Sequence, residues 1–279
     1  LDTYYAAFRI PDFIYSSFGI LFSVTVLIPF ISEYLKKEET KEGAGALRSF
    51  LNSIFTVYFF GMLVICLVVF VLMPWLTKLT APGFDASQHS QLVLFSRMML
   101  VSPFLFGLSS LLSSFAQMQK KFFAFAIAPL LYNVGILVGV LFLRSLWGMF
   151  GVVIGVIFGA ILYFGVQLPT LVVLKKIPSF VRDIEWSVVK KVVYLSLPRT
   201  LGASLTSITF IIMAAIASLL SVGSISVFQL SYNIENSPLL VFGISYAVAA
   251  FPTMARLYAD GERGQMMKVL YRTRSEEHT

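Results

Sequence analysis

The sequence predicts an all-α polytopic membrane protein with seven transmembrane helices. Three observations predict this fold class: the composition, the length of the apolar stretches and the distribution of basic residues. Hydrophobic residues make up 58% of the 279 residues, charged residues make up 13%, and the mean hydropathy is +0.85. Soluble domains carry about 25% charged residues, and one soluble core cannot bury this much apolar surface. The expected solvent is therefore a lipid bilayer.

Seven apolar stretches are each long enough to cross the hydrocarbon core as a helix, which takes about 20 residues. They are uniformly apolar, whereas the strands of a membrane barrel alternate over about 10 residues. Because lipid cannot satisfy an open backbone, the stretches must be helical. The predicted spans are 13–31, 50–73, 92–116, 124–143, 149–174, 194–220 and 224–251.

Basic residues alternate from one connection to the next, which predicts the orientation. The opposite connections hold only Lys78 and Arg144. Since cytoplasmic loops carry the excess of Lys and Arg, Leu1 is expected outside and the C-terminus inside. The net charge of +7 then indicates a membrane surface and no nucleic-acid partner. The expected cytoplasmic connections contain the basic segments 34–48, 120–121, 175–191 and 256–272.

A set of short motifs, in order along the chain, carries a family resemblance. Together they cover about residues 2–258, and the chain resembles the MurJ/MviN family. The resemblance implies the multidrug/oligosaccharidyl-lipid/polysaccharide exporter fold, with two six-helix lobes around a central cavity and two further helices. This chain would supply the second to the eighth helix. The motifs are residues 2–12 (DTYYAAFRIPD), 29–34 (PFISEY), 81–84 (APGF), 128–133 (APLLYN) and the stretch from Gly243-Ile244 to Phe251-Pro252-Thr253.

The resemblance also predicts the domain organisation. Residues 1–174 are expected to form the N-terminal lobe without its first helix, 175–193 a cytoplasmic linker between the lobes, and 194–273 the first two helices of the C-terminal lobe. Residues 274–279 match a translated sequencing adapter and are expected to be an artefact. A weak internal repeat, in which Tyr4-x3-Phe8-Arg9-Ile10 recurs as Phe228-x3-Tyr232-Asn233-Ile234, supports two related halves.

The function implied by the resemblance is movement of lipid II, an undecaprenyl-diphosphate-linked peptidoglycan precursor, across the bacterial cytoplasmic membrane by alternating access. The lipid bilayer and cell-wall synthesis proteins are the other expected partners. Two departures from the family's pattern concern the basic residues of the cavity. Tyr15 and Ser16 occupy places that are usually basic in the second helix, and Tyr232-Asn233 replaces an Asp-Arg pair in the eighth.

Arginine matches a diphosphate because its planar fork pairs bidentately with phosphate oxygens. Arg199 and Arg9 are therefore the expected substrate-binding cations, with Asn233 and Asp2 as further substrate-binding candidates. An alternative for Arg199 is that it snorkels to the inner headgroups. An alternative for Arg9 is an ion pair with a nearby carboxylate that braces the outer mouth.

Three other ionisable residues are candidates for ion coupling or gating, because charge within a membrane helix is costly and usually functional. These are Glu235, Asp12 and Arg97. Glu235 could instead be neutralised by protonation or by an ion pair, and Arg97 could instead pair with a neighbouring helix or snorkel.

Other function classes are less well supported by the residues. The sequence contains no H-E-x-x-H, G-x-S-x-G or Walker motif, so a non-enzyme without a metal or cofactor is expected. Within transport, an exporter of drugs or of another lipid-linked oligosaccharide stays open as an alternative, as does a membrane scaffold that has lost transport. A prenyl-phosphate enzyme would need Asp-rich metal motifs, which the sequence lacks.

Overall fold

The computed structural model describes residues 1–22, 26–27, 30–31, 33–34, 45–118, 123–169, 178–239, 257 and 262–276. Regular structure in these residues is entirely helical, which confirms the predicted all-α class. The helices are α1 (Asp2–Ala7), α2 (Arg9–Ile14), α3 (Ala46–Thr80), α4 (Ala86–Met99), α5 (Val101–Met118), α6 (Phe123–Val138), α7 (Arg144–Trp147), α8 (Met149–Gly165), α9 (Trp186–Ser218), α10 (Ser224–Pro238) and α11 (Arg263–Glu276), with two π-helices, π1 (Tyr15–Gly19) and π2 (Gly139–Leu143).

Four helical segments among the described residues are long and apolar enough to cross a membrane: Ala46–Thr80, Ala86–Ser114, Phe123–Trp147 and Trp186–Ser218. α8 is apolar but shorter, with 17 residues. The predicted first and last spans both run into residues outside the described part, so the count of seven stays a prediction. Apolar side chains such as Phe60, Val64 and Val71 of α3 are more than half exposed, as expected for a surface that faces lipid.

Glycines set the spacing between α6, π2 and α8. A Cβ atom built on Gly135 would lie 2.2 Å from the Cα of Gly159, and one on Gly155 would lie 2.4 Å from the Cα of Gly139. The two backbones therefore touch directly, as in the small-x-x-x-small packing of membrane helices. This crossing joins the predicted fourth and fifth spans and supports the face of α6 that carries Tyr132.

α9 packs against α2, π1 and α3. It begins at Trp186 and ends at Ser218, so it contains residues 186–193 of the predicted linker and residues 194–218 of the predicted span. The turn at residues 81–84 contacts the other end of α9, where the backbone N–H of Gly83 donates to Ser218 Oγ at 3.1 Å. Contacts divide the chain into two compact units, Leu1–Val222 and Gly223–Thr279. The lobe boundary predicted between 174 and 194 stays a prediction.

Hydrogen bonds connect residues 179–185, just before α9, to the beginning of α3. The Glu185 carboxylate accepts hydrogen bonds from Ser49 Oγ and from Tyr34 Oη, the latter at 3.3 Å. The backbone N–H groups of Ser179 and Val181 donate to side chains of α3. Burial, together with the adjacent charge of Glu185, raises the pKa of Tyr34 to about 12, so this phenol is a hydrogen-bond donor at neutral pH.

Candidate functional site

The first described helices bring two of the predicted site residues together. Arg9 and Asp12 lie three residues apart on α2, the spacing at which side chains are neighbours on a helix surface. Their opposite charges attract each other. Asp2 lies seven residues before Arg9, in the first turn of α1. The structure therefore supports the expectation of an Arg9–carboxylate interaction near this end of the chain.

Arg9 also joins α2 to α9. Its side chain is only 6% exposed, and its guanidinium carbon lies 5.2 Å from the ring centroid of Phe210. A cation within about 6 Å of an aromatic ring is attracted by the ring's negative face. The residue therefore stabilises the contact between these two helices.

Asp12 points into a cavity of about 280 Å³ between α2, α5 and α6. Its side chain is exposed to this space, whereas its neighbour Pro11 is buried. The cavity is lined by Phe8, Pro11, Asp12, Tyr15, Met99, Ser102, Pro103, Phe106 and Tyr132. Its wall therefore combines one carboxylate with aromatic rings and hydroxyl groups.

A second cavity, of about 490 Å³, lies between α2, π1, α3 and α9. Its lining is apolar except for Thr80 and includes Phe13, Phe18 and Ile211. A diphosphate headgroup would find no charge in this lining, whereas the lining of the first cavity contains the carboxylate of Asp12.

Serine pairs connect π1 to α9. Ser16 Oγ lies 2.8 Å from Ser207 Oγ, and Ser17 Oγ lies 2.9 Å from Ser204 Oγ. Ser196 Oγ donates to the carbonyl of Leu21 one turn further along. These contacts form a polar seam, defined here as Ser16, Ser17, Ser196, Ser204 and Ser207, between two membrane helices.

The seam was not predicted from the sequence. Ser16 stood out only as a departure from a basic position, and serine at helical spacing is also common on lipid-exposed and tightly packed faces. A possible signal was the spacing of Ser196, Thr200, Ser204 and Ser207, which recurs every three or four residues. That periodicity places them on one face of α9, but it does not identify the helix that contacts them.

Arg97 is not part of the polar seam and lies in the last turn of α4. Its Nε donates to the carbonyl oxygen of Phe70 at 2.9 Å, and its guanidinium carbon lies 4.6 Å from the centroid of the same ring. This is the helix-pairing alternative considered for Arg97. The contact braces α4 against α3.

Arg199 is exposed, and so is Thr206 of the predicted polar stripe, while Ala203 is half-buried. The buried face of α9 is instead formed by Ser196, Thr200 and Ser204. Arg199 therefore lies on a different face of α9 from the seam. That it lines the central cavity stays a prediction.

Asn233 and Glu235 lie on α10, in the second compact unit, and both are exposed. Asn233 Oδ1 accepts a hydrogen bond from Gln229 Nε2 at 3.0 Å, within the same helix. Among the described residues, no group of three or more His, Cys, Asp or Glu side chains is placed to hold a metal ion.

Comparison with known proteins agrees with the fold and with the motifs. The family described as "Lipid II flippase MurJ" matches residues 1–273. A "probable lipid II flippase MurJ" from Rhizobium tropici is 28% identical over 274 residues, which cover 93% of this chain and 49% of the relative. The "lipid II flippase MurJ" of Burkholderia cenocepacia is 24% identical, with 96% of this chain and 53% of the relative covered.

A solved structure described as "Lipid II flippase MurJ, inward closed conformation" superposes with a TM-score of 0.75 and 19% identity, over 94% of this chain and 53% of that structure. At this identity the match shows the fold. The chain spans about half the length of the curated relatives it matches. Because the family match extends over nearly the whole chain, the chain belongs to the MurJ lipid II flippase family.

Proposed function

We propose that the protein to which this chain belongs translocates lipid II across the bacterial cytoplasmic membrane. The family match over residues 1–273 is the observation that carries this proposal. The chain spans about half the length of these relatives. The cargo is expected to carry its sugar and peptide on undecaprenyl diphosphate, and cell-wall synthesis proteins are its expected partners.

The physical problem in this reaction is the diphosphate, because a bare anion cannot cross hydrocarbon. A transporter must shelter it with positive charge and water. Arg9 and Arg199 are the proposed donors in this chain, with Asp2 and Asn233 as the polar groups that accompany them. In the described conformation Arg9 lies against Phe210, so contact with substrate requires α9 to separate from α2.

The remaining candidates, Asp12, Glu235 and Arg97, are proposed to act in gating. Asp12 attracts Arg9 electrostatically, and a change in either charge alters the stability of the α2–α9 contact. Glu235 is exposed on α10 and is proposed as a second coupling group. Arg97 joins α3 to α4 and is proposed to act as a brace. In this scheme the protein undergoes alternating access and catalyses no covalent step.

The test is complementation of a flippase-depleted bacterial strain by the full-length protein. We expect the parent protein to restore growth, Arg199→Lys to restore it partly because the bidentate fork is lost, and Arg199→Ala to fail. Lys190→Ala is the matched control, since Lys190 is also an exposed cation of α9. Membrane expression of each variant is measured in parallel.

Two outcomes distinguish an error in the proposed substrate from an error in the proposed role of Arg199. Failure of the well-expressed parent protein would reject lipid II as the cargo and favour another lipid-linked oligosaccharide or a drug, to be tested by export assays, or a scaffold without transport. Growth of the Arg199→Ala strain at the parent rate would instead leave the function intact. It would show that Arg199 only anchors α9 at the headgroups.

A further inference from the structure

The cavity beside Asp12 is lined by one carboxylate, several aromatic rings and a serine hydroxyl. Asp12 shares the lining with four aromatic rings, contributed by Phe8, Tyr15, Phe106 and Tyr132. Three of these rings pack edge to face: the Phe106 ring lies 5.9 Å from Tyr15 at an interplanar angle of 77°, and 5.1 Å from Tyr132 at 84°. The rings of Tyr15 and Tyr132 therefore both stand at steep angles to the ring of Phe106.

The charge in this cavity is negative. Asp12 supplies a carboxylate that is exposed to the space, and no Lys, Arg or His is among the described residues of the lining. Arg9 attracts Asp12 along α2, but its guanidinium carbon lies 5.2 Å from the Phe210 ring of α9, and Arg9 is not part of the lining. An occupant of this cavity would therefore meet Asp12 as the one charged side chain among the described residues of the lining.

Ser102 provides an independent sign that the lining is built for a ligand. It lies in the first turn of α5, is 6% exposed, and its Oγ has no hydrogen-bond partner among the described residues. Several helical hydroxyls here bond to the carbonyl four residues earlier, as Thr56 does to Asn52 and Ser114 does to Ser110. Ser96 and Ser109 also lack a partner among the described residues, but neither lines the cavity. Buried polar groups usually have partners, so an occupant that accepts or donates a hydrogen bond accounts for this hydroxyl.

We propose that this cavity binds a compact organic ammonium cation. Aromatic faces around a negative charge attract such cations, and aromatic cages are a recurring site for quaternary ammonium and methylated amines. The volume of about 280 Å³ is close to the lower limit of small-molecule pockets, about 300 Å³. A hydrated inorganic ion is a poorer match, since most of the lining is aromatic and cannot replace its water ligands. The site is independent of lipid II, because its lining lacks the positive charge that a diphosphate needs.

The test uses a pair of probes with the same shape and different charge, choline and 3,3-dimethyl-1-butanol. Binding of each to the purified full-length protein in lipid nanodiscs is measured by calorimetry. We expect saturable choline binding and at least about tenfold weaker binding of the neutral probe, because the cation–π and carboxylate attractions are lost. Sodium chloride should displace no more choline than potassium chloride does at the same concentration.

Variants locate the site. Asp12→Asn keeps the shape and should weaken choline binding by about tenfold or more, and Phe106→Leu should weaken it through the loss of a ring face. Asp183→Asn is the control, since Asp183 is an exposed carboxylate outside the cavity, and it should bind as the parent does. Each variant is compared with the parent by gel-filtration profile.

Three outcomes would overturn the proposal. Equal binding of choline and its neutral analogue would show an ordinary apolar cavity. Displacement of choline by sodium alone would show an inorganic cation site. Unchanged choline affinity in a well-folded Asp12→Asn protein would place the site elsewhere. If that variant does not fold, the comparison of the two probes on the unmodified protein still decides the question.

Discussion

Arg9 shows how an arginine just before a predicted span is accommodated. Burying a charged side chain away from water carries an insertion cost unless the charge is compensated. Here the guanidinium is buried against the Phe210 ring and attracted by Asp12 on the same helix. Both interactions are stronger in a dry environment than in water. They offset part of the insertion cost, and they connect α2 to α9.

Phe210→Leu tests this contact. The substitution keeps an apolar side chain but removes the ring face, and we expect the free energy of unfolding to fall by about 1–2 kcal/mol. The measurement is chemical unfolding of the purified protein in detergent. Phe142→Leu, at a ring that is 64% exposed, is the matched control and should change stability by about 0.5 kcal/mol or less. An equal effect of both substitutions would show that the Arg9–Phe210 contact adds nothing.

Tyr15 and Ser16 make contacts in the structure that their positions in the sequence did not suggest. Tyr15 and Ser16 were conspicuous only because the related family usually has basic residues there. In the structure Tyr15 lines the Asp12 cavity, and Ser16 bonds to Ser207 across the interface with α9. The departure from basic residues therefore coincides with a different set of contacts, made of hydroxyls and rings.

At the scale of helices, the glycine crossing between α6, π2 and α8 brings backbone directly against backbone. Membrane helices gain no hydrophobic free energy from leaving lipid, so their association depends on close van der Waals packing. Gly135 and Gly139 on one side, and Gly155 and Gly159 on the other, allow the backbones to touch. Any side chain at these positions must separate the helices.

Gly155→Ala is the corresponding prediction. The added methyl would lie 2.4 Å from the Cα of Gly139, and we expect a loss of about 1–3 kcal/mol in the free energy of unfolding, as for overpacked cores. Gly202→Ala is the control, because its added methyl meets no atom within 4 Å, and alanine favours the helix. It should leave stability unchanged or raise it slightly. The thermal unfolding midpoints of the two variants give the comparison, and the prediction fails if both midpoints equal that of the parent.

The contact between π1 and α9 is an element-scale feature of another kind. A π-helix disturbs the regular backbone ladder and often occurs at functional sites. π1 is where Ser16 and Ser17 meet Ser207 and Ser204. Hydroxyl pairs between membrane helices contribute only about 0.6–2 kcal/mol each. A seam of this strength holds one conformation and can still separate, as alternating access requires.

For the whole molecule, the main prediction is topology. Positive charge in alternate connections predicts that residues 32–49, 117–123, 175–193 and 253–273 face the cytoplasm. Ser87 lies in the first turn of α4, which follows α3, and the 35 residues of α3 are enough to cross the bilayer. The orientation therefore has a single direct test, which is the accessibility of engineered thiols from outside the cell.

Ser87→Cys and Thr40→Cys are the two variants, made in a protein with Cys66→Ser, since Cys66 is the one cysteine of the chain. A membrane-impermeant maleimide added to intact cells should label Ser87→Cys and leave Thr40→Cys unlabelled, because only the first is expected outside. Labelling after cell lysis controls for reactivity of both thiols. Labelling of both residues in intact cells would contradict the orientation.

Composition, stretch length and motifs determined the solvent, the helical class and the family of this protein, because each depends on local chemistry that is repeated along the chain. The family match and the described helices confirm these three points. The described helices agree well with the central predicted spans, and the differences lie mostly at their ends. α9, for instance, begins at Trp186 and not at residue 194. Helix ends depend on capping and on neighbouring segments, which a hydropathy pattern does not contain.

Only the tertiary structure decided which side chains meet. Arg9 and Phe210 are about 200 residues apart, as are Ser16 and Ser207, and a periodic pattern gives the face of a helix without its partner. The same holds for the Asp12 cavity, whose walls come from α2, α5 and α6. In a membrane nearly every helix surface is apolar, so hydrophobicity cannot select the partner. Close packing of glycines, serines and rings makes that selection, and it depends on three-dimensional shape.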